Sequence, residues 1–463
     1  MDCRKKYILN KKFTLRGWKN IPYSIDIPGS PGSPIVITPE LTEKLSTPFE
    51  YDSGDTMIDR MIRQGIVVPC SDGEVLADEQ KYKNYGCLHF ESVIFSITGR
   101  CNYKCMHCSV NAPDSPMTEI PFERICSLLD EMKECGLKNV VLIGGEPLIR
   151  KDFLKIADEV IKRGMFIAEI FTNGSLVTPK LLDELDRHGI KTLFMISFDG
   201  VGYHDRMRGV KGAEENFYKC VKLLKERGYP VNANMCITRE SIYSLWDTIR
   251  TLSDLGVGSL TVYPPVECGL WEDKAETLGV TTQMIGDEYP KVIEKYVAAG
   301  YPITLNMYGL IYFSSELKKY ALTPKWKAWG KNPEKVPACI TFTSELNISP
   351  EGILSPCYAL MSDPFSKDKM PDINKMSLKD ALTDSPFVKI MEMTSADVKN
   401  HNSKCSSCEH FLECGGGCRL SAYKHTGDFY GYDPQMCEFF EKGYDKRFRE
   451  AVKNGIKKTV WLS

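Results

Sequence analysis

From about Ser92 to Gly300 the chain alternates short apolar runs with stretches in which apolar residues recur every three or four positions. A short apolar run bounded by turn residues suits a buried strand, whereas the longer spacing lays a stripe along one face of a helix. The alternation therefore predicts repeated βα units around a parallel sheet. Strands are expected at Ser92–Thr98, Asn139–Ile143, Phe166–Phe171, Thr192–Ser197, Val231–Ile237 and Ser259–Tyr263, which makes six units rather than eight. The helices between them carry stripes such as Ile125, Leu128, Leu129 and Met132, or Phe217, Cys220, Val221 and Leu224. Cys135 and Cys220 thus read as small core residues. The predicted fold class is α/β, a partial (βα)6 TIM-like barrel, with functional residues expected at the carboxyl ends of its strands.

The flanks differ. Residues 1–90 read as strands at Tyr7–Leu15 and Tyr23–Ile27, a Pro/Gly loop from Pro28 to Pro34, a helix opened by Thr38-Pro39, a second helix near Thr56–Arg63, and a closing strand after Gly65. That order suggests a small winged-helix-like domain. The barrel is assigned 91–300 and a mixed connector 301–338. Residues 339–440 are loop-rich with clustered cysteines, expected to fold around metal as much as around a core. Residues 441–463 end the chain as a helix, within a basic amphipathic stretch running from Glu438 to Lys458 that reads as a solvated cap.

Composition narrows the function classes. A length of 463 residues suits two or three domains, and a net charge of -2 with 26% charged residues gives no basic or acidic field for nucleic acid or membranes. The first twenty residues are polar and basic, and no apolar run approaches the roughly 18 residues of a membrane span. The expected location is the cytoplasm, where the 18 cysteines stay reduced and available to metal.

Ten of those cysteines fall in two groups. Cys101, Cys105 and Cys108 follow the first barrel strand with spacing C-x3-C-x2-C, enough thiolates to hold three irons of a 4Fe-4S cube and leave one open. The second strand ends in Gly144-Gly145-Glu146-Pro147, which offers backbone polar groups and a carboxylate able to hold an ammonium. Further strand ends supply Thr172-Asn173-Gly174 and Ser197-Phe198-Asp199-Gly200, with His204, Asp205, Arg208 and Gly209 beyond. Arg208 suits a carboxylate, and Ser197 and Asp199 suit ribose hydroxyls. The implied ligand is zwitterionic at one end and a nucleoside at the other.

Together these runs resemble the radical S-adenosylmethionine enzymes. The resemblance implies that Cys101, Cys105 and Cys108 bind a cluster and that Gly144, Gly145, Glu146 and Pro147 meet the methionine amine. It places Asn173, Ser197, Asp199 and Arg208 around the rest of the cofactor and His107 near the adenine. In that family the reduced cluster cleaves S-adenosylmethionine to a 5'-deoxyadenosyl radical that takes hydrogen from substrate. The later cysteines resemble the SPASM pattern: Cys339, then Gly352 and Cys357, then Cys405, Cys408, Cys414, Cys418 and Cys437. By that resemblance Cys405, Cys408, Cys414 and Cys437 bind one auxiliary 4Fe-4S cluster, and Cys339, Cys357 and Cys418 the other. The total is three clusters.

Seven thiolates leave an eighth position vacant, and no cysteine lies between Lys331 and Ala338. The auxiliary cluster of Cys339 is therefore expected either to keep an open iron or to be closed by a distant residue such as Cys268. Cys268 also reads as a hydrogen donor near the radical or as a plain loop cysteine. Tyr358 stands where the sulfatase-activating branch has Asp, which argues against formylglycine formation and leaves Tyr358 and Cys268 as candidate catalytic residues. The expected activity is maturation of a ribosomally made precursor peptide by a thioether or carbon-carbon crosslink. The leader would be held by residues 1–90 as an added strand, and a flavodoxin or ferredoxin would act as reductant. The alternatives are a peptide epimerase and, from another class, a non-catalytic iron-sulfur carrier or scaffold.

Overall fold

The computed structural model describes residues 5–112, 118–265, 267–322 and 336–460, so part of the 301–338 connector lies outside it. The amino-terminal strands are β1 (Lys5–Leu9), β2 (Thr14–Gly17), β3 (Ser24–Asp26), β4 (Ile35–Val36), β5 (Phe49–Tyr51), β6 (Val67–Pro69) and β7 (Lys83–Asn84). They form a three-stranded sheet in the order β5-β1-β6 and a four-stranded sheet in the order β4-β3-β2-β7. The single strand expected at Tyr7–Leu15 is broken by a turn in which Phe13 N–H bonds Asn10 O at 2.9 Å, sending its halves into different sheets. Helices Pro39–Leu45 and Thr56–Arg63 start at Thr38 and Asp55, whose side chains accept from first-turn backbone N–H groups. Ile8, Leu15, Ile25, Leu45, Ile58 and Met61 give this region a core of its own.

Trp18 belongs instead to the main core. Its indole donates to Cys135 O at 2.8 Å and stacks on Tyr85, and a side chain at Gly136 would collide with it. The Lys138–Asp26 ion pair at 2.6 Å, with both side chains mostly covered, ties the same surfaces.

The central sheet has eleven strands, continuing with β8 (Ser92–Ser96), β9 (Asn139–Ile143), β10 (Phe166–Thr172), β11 (Leu193–Ser197), β12 (Val231–Cys236) and β13 (Ser259–Tyr263). These are the six expected strands, β9 and β13 with the expected bounds and the other four shortened or lengthened by a residue or two. The sheet is wider than expected. On one edge come β14 (Thr304–Met307), parallel to β13, and then β15 (Ile311–Ser314) and β16 (Lys319–Leu322), both antiparallel. On the other edge β17 (Glu345–Ile348) runs parallel to β8 and is followed by β18 (Leu354–Ser355). The carboxyl-terminal cysteine region is thus hydrogen-bonded into the barrel sheet rather than appended to it.

Cys135 and Cys220 are buried in the core between sheet and helices. The expected solvated terminal helix is two helices, Pro434–Glu441 and Tyr444–Val460, separated at Gly443 (φ 68). The second buries Phe448 and Val452, and Tyr444 lies so close to helix Thr282–Ala298 that a Cβ on Gly286 would sit 2.2 Å from its ring. Among the described residues no helix is long and apolar enough to cross a membrane.

Candidate active site and metal centres

The front cysteine loop leaves β8 and is clamped from two sides. Gly145 N–H bonds Thr98 O at 2.8 Å and Glu146 N–H bonds Arg100 O at 2.9 Å, while Lys104 and Met106 N–H groups bond Arg208 O and Met207 O. The fit tolerates no side chains: a Cβ on Gly145 would meet Arg100 O at 2.3 Å, and one on Gly209 (φ +65) would meet Lys104 O at 2.4 Å. The Gly-Gly turn and Gly209 are therefore required by close backbone approach.

Within this clamp the three sulfurs each accept a hydrogen bond. Tyr103 N–H reaches Cys101 Sγ at 3.4 Å, Ala112 N–H reaches Cys108 Sγ at 3.2 Å, and Arg208 Nη1 reaches Cys105 Sγ at 3.7 Å. Burial pushes the Cys101 thiol up to about 12 and raises Cys105 as well, the latter against the pull of the Arg208 guanidinium. Three buried polar atoms on the same loop, Tyr103 Oη, His107 Nδ1 and Asn111 Oδ1, have no partner among the described residues. A thiolate-bound cluster with a polar cofactor beside it fits this donor set.

The polar strand ends are less open than the sequence suggests. Glu146 is fully buried and accepts from Thr172 Oγ1, Asn173 N–H and Leu148 N–H. Its burial pushes the carboxyl up to about 7 although the hydrogen bonds pull it down. The side chain is thus spent in fixing the ends of β9 and β10, and Gly144, Gly145 and Pro147 offer only backbone groups to a ligand's ammonium. Asn173 Nδ2 bonds Asn102 Oδ1 at 2.9 Å and lies 4.0 Å from Cys101 Sγ.

Asp199 is likewise buried, and Arg208 Nε sits 2.6 Å from its carboxylate, with Nη2 donating at 2.9 Å. Burial opposes ionisation of Asp199, but the guanidinium outweighs it and holds the carboxyl below the usual carboxylate range. The carboxylate that Arg208 holds is therefore the protein's own. His107 lies beside the pair: its ring, Asp199 and Cys236 bring ligand-type atoms within 4.8 Å of one another, and burial pushes the imidazole down to about 4, so it is neutral. Ser197 ends β11, partly buried.

The later cysteines form two groups. Cys405, Cys408, Cys414 and Cys437 act on one another electrostatically, with burial pushing Cys405 up to about 11 and Cys414 to about 12. Gly415, Gly416 and Gly417 join Cys414 to Cys418 through three successive positive φ angles. Asp433 accepts from Cys418 N–H at 2.8 Å and would collide with a side chain on Gly417. In the second group the charges of Cys418 and Cys339 both bear on Cys357. Among the described cysteines none is in a disulfide.

The space between front loop and second group is the barrel lumen. Ile94, Val141 and Ile143 line it with Ala168 and Phe171, and the segment after Cys357 lowers Tyr358 and Met361 on to them. Tyr358 lies within the electrostatic reach of Cys108, Cys268 and Cys101. Cys268 stands over the front loop: Leu270 N–H bonds Cys108 O at 3.1 Å, and the charges bearing on the Cys268 thiol come from Lys424, Glu272, Asp363 and Cys108. This places Cys268 with the front cysteines and not with the group of Cys339.

Four residues of this space carry no signature in the sequence. A register shift in β10 between Ile167 and Glu169 adds Glu169, whose carboxyl is raised by burial. Glu345 opens β17, paired with Ser92, and burial together with the like charge of Glu169 pushes it up to about 7. Tyr263 ends β13 and Tyr308 follows the last residue of β14, the two rings edge to face at 6.5 Å. The charges that act on the Tyr308 hydroxyl are those of Cys339, Cys357, Cys418 and Glu345.

Two family models match parts of the chain. The Radical SAM superfamily model matches residues 95–252, and the SPASM model, an iron-sulfur cluster-binding domain, matches residues 339–409. An AdoMet-dependent heme synthase of Methanosarcina barkeri is 25% identical over 74% of this chain and 95% of its own length. A PqqA peptide cyclase of Gluconobacter oxydans is 24% identical over 79% of this chain and 94% of its own. Among solved structures, Streptococcus suis SuiB bound to precursor peptide SuiA shares the fold with a TM-score of 0.65 at 15% identity, covering 93% of this chain and all of that one.

Proposed function

We propose that this chain, a radical S-adenosylmethionine enzyme with a SPASM domain, takes hydrogen from a ribosomally made precursor peptide and joins the resulting carbon radical into a thioether or carbon-carbon crosslink. When bound, the front cluster and S-adenosylmethionine supply the 5'-deoxyadenosyl radical. Cys101, Cys105 and Cys108 would hold that cluster. Gly144, Gly145, Pro147, Asn173, Ser197 and His107 would line the cofactor, with the Asp199–Arg208 pair fixing the loop from below. The two later cysteine groups would hold auxiliary clusters.

What supports the reading most directly is that β17, opened by Glu345 and flanked by Cys339 and Cys357, pairs in parallel with β8, which the front cysteines follow, so that both cysteine groups belong to one sheet. Crosslinking removes two electrons and two protons from the peptide. A carboxylate whose carboxyl is raised to about 7 suits proton acceptance at neutral pH. The likeness to SuiB covers 93% of the chain and so extends into residues 5–90, where the edge strands β5 and β6 leave unpaired backbone for a leader peptide to join.

A second reading, epimerisation, is supported by Cys268. It lies at the front loop, and burial pushes its thiol up to about 11, so the S–H bond needed for hydrogen return is retained. The test is to incubate reduced, reconstituted enzyme with S-adenosylmethionine and short peptides encoded beside its gene, in deuterium oxide. A mass loss of two hydrogens with 5'-deoxyadenosine supports crosslinking, a gain of one deuterium supports epimerisation, and 5'-deoxyadenosine with no peptide change refutes both for those peptides. Absence of 5'-deoxyadenosine, together with loss of no iron in a Cys101→Ala, Cys105→Ala, Cys108→Ala variant, would refute the placement of the front cluster.

A further inference from the structure

We propose that Arg419 supplies the counter-charge of the auxiliary cluster that Cys405, Cys408, Cys414 and Cys437 would hold, and so raises the potential at which that cluster takes an electron. The inference rests on the reading that these four cysteines hold a cluster.

Arg419 is 2% exposed, and burying a guanidinium is costly unless a negative charge lies beside it. Among the described residues it makes no ion pair. Its bonds go to backbone carbonyls, Nη1 to Phe429 O at 2.8 Å and Gly431 O at 2.9 Å, and Nη2 to Gly416 O. Nε is buried with no partner among the described residues. The buried carboxylate of the same region, Asp433, is taken up by Cys418 N–H at 2.8 Å, Ser421 Oγ at 2.8 Å and Gln435 N–H at 3.0 Å.

Those carbonyls place the guanidinium inside the frame that carries the cysteines. Gly416 lies two residues beyond Cys414, and a Cβ there would meet Nη2 at 2.9 Å. Phe429 to Gly431 leads into Asp433, whose side chain starts the helix of Cys437 and whose carbonyl accepts from Cys437 N–H at 3.0 Å. Tyr430 O, between the two acceptors of Nη1, takes Asn402 Nδ2 at 3.4 Å, and Asn402 Oδ1 accepts from Cys405 N–H at 3.3 Å. One side chain thus joins the segments of Cys405, Cys414 and Cys437. Burial raises the Cys405 thiol, and the charge of Arg419 opposes it. Four thiolates give a cube a net negative charge, and one-electron reduction adds another. A fixed, buried cation beside it therefore stabilises the reduced form more than the oxidised one, with little screening by salt.

The test uses the full chain carrying Cys101→Ala, Cys105→Ala and Cys108→Ala, so that only the later clusters contribute, with Arg419 kept or changed by Arg419→Lys or Arg419→Met. Lys keeps the charge without the planar fork, whereas Met fills the stem and removes the charge. Potentiometric titration followed by paramagnetic resonance gives the potentials. All three proteins should hold about eight irons, the content of two cubes. In the Met variant the reduced-to-oxidised ratio of one cluster at fixed potential should fall by about tenfold, which is about 59 mV for a one-electron couple, and in the Lys variant by no more than about twofold. Equal potentials in the Met and Arg419 proteins, or a Lys variant shifted as far as Met, would overturn the proposal. If the Met variant holds only about four irons, the Lys variant decides: full iron at the parent potential upholds the proposal. Lost iron or a lowered potential there would show that the carbonyl bonds, and not the charge, hold the site. Fewer than about eight irons in the Arg419 protein would refute the clusters themselves, a failure separable from that of Arg419.

Discussion

The buried Asp199–Arg208 pair gives the sharpest quantitative test of how the site is built. Arg208→Met leaves the Asp199 carboxylate, fully buried, with the Cys236 N–H and the imidazoles of His204 and His107 as its remaining polar neighbours. Removing one partner of a buried pair costs about 3–5 kcal/mol, because the remaining charge has neither water nor a counter-ion. Asp199→Asn should cost a similar amount by leaving the guanidinium against Cys105 alone. The double variant removes both charges and should lose no more than either single change, a coupling of about 3 kcal/mol. For a cooperative unit of about 200 residues the single variants should melt roughly 10 °C lower.

Thermal melts of anaerobically reconstituted protein, followed by far-ultraviolet circular dichroism, measure the cycle. Single-variant losses that simply add in the double variant would refute the ion pair as the structural link between the β11 loop and the cysteine loop. The pH dependence supplies a second check. Asp199 has a depressed folded pKa, so the pair's contribution is present above the unfolded value of about 3.9 and lost only as pH falls through the lower folded one. Wild-type stability from this source should be flat between pH 5 and 8. In Arg208→Met the carboxyl is raised by burial alone, so the deficit should shrink on acidification.

Trp18→Ala should cost about 3–5 kcal/mol and loosen residues 5–90 from the barrel, seen as early proteolysis of that region, since the indole is 1% exposed and bonded to Cys135 O. His89 is buried against Trp18 with Nδ1 unpartnered, and burial pushes it down to about 4. The unfolded chain takes up this proton first, so stability should fall by about 3 kcal/mol as pH drops from about 6.5 to 4, and His89→Leu should flatten that part of a urea-denaturation profile. Cys268→Ala should leave iron content and the resonances of the later clusters unchanged in the absence of peptide. An altered auxiliary resonance would contradict its placement at the front loop.

What the sequence concealed follows from what the lumen is for. Of the six central strands, β8, β9 and β11 read as nearly continuous apolar runs, while β12 and β13 alternate polar with apolar and were legible from the helical stripes that follow them. β14 (Thr-Leu-Asn-Met) and β17 (Glu-Leu-Asn-Ile) are equally parts of the parallel sheet, yet each alternates polar with apolar. Their inner faces look on to the part of the lumen where chemistry requires polar groups, so the pattern of a buried parallel strand is lost where the site begins. Cysteines were legible for the opposite reason, since metal ligation fixes both residue type and spacing on one loop. Glu169, Glu345, Tyr263 and Tyr308 come from four different strands and meet only through the fold. Glu146, Asp199 and Arg208 were visible as polar residues at strand ends, but their partners were not. Strand ends gather ligand contacts and the groups that hold them, and burial with its partners separates the two: a carboxylate with three protein donors, like Glu146, or one paired with its own arginine, like Asp199, is engaged by the protein itself and positions the strand ends around it.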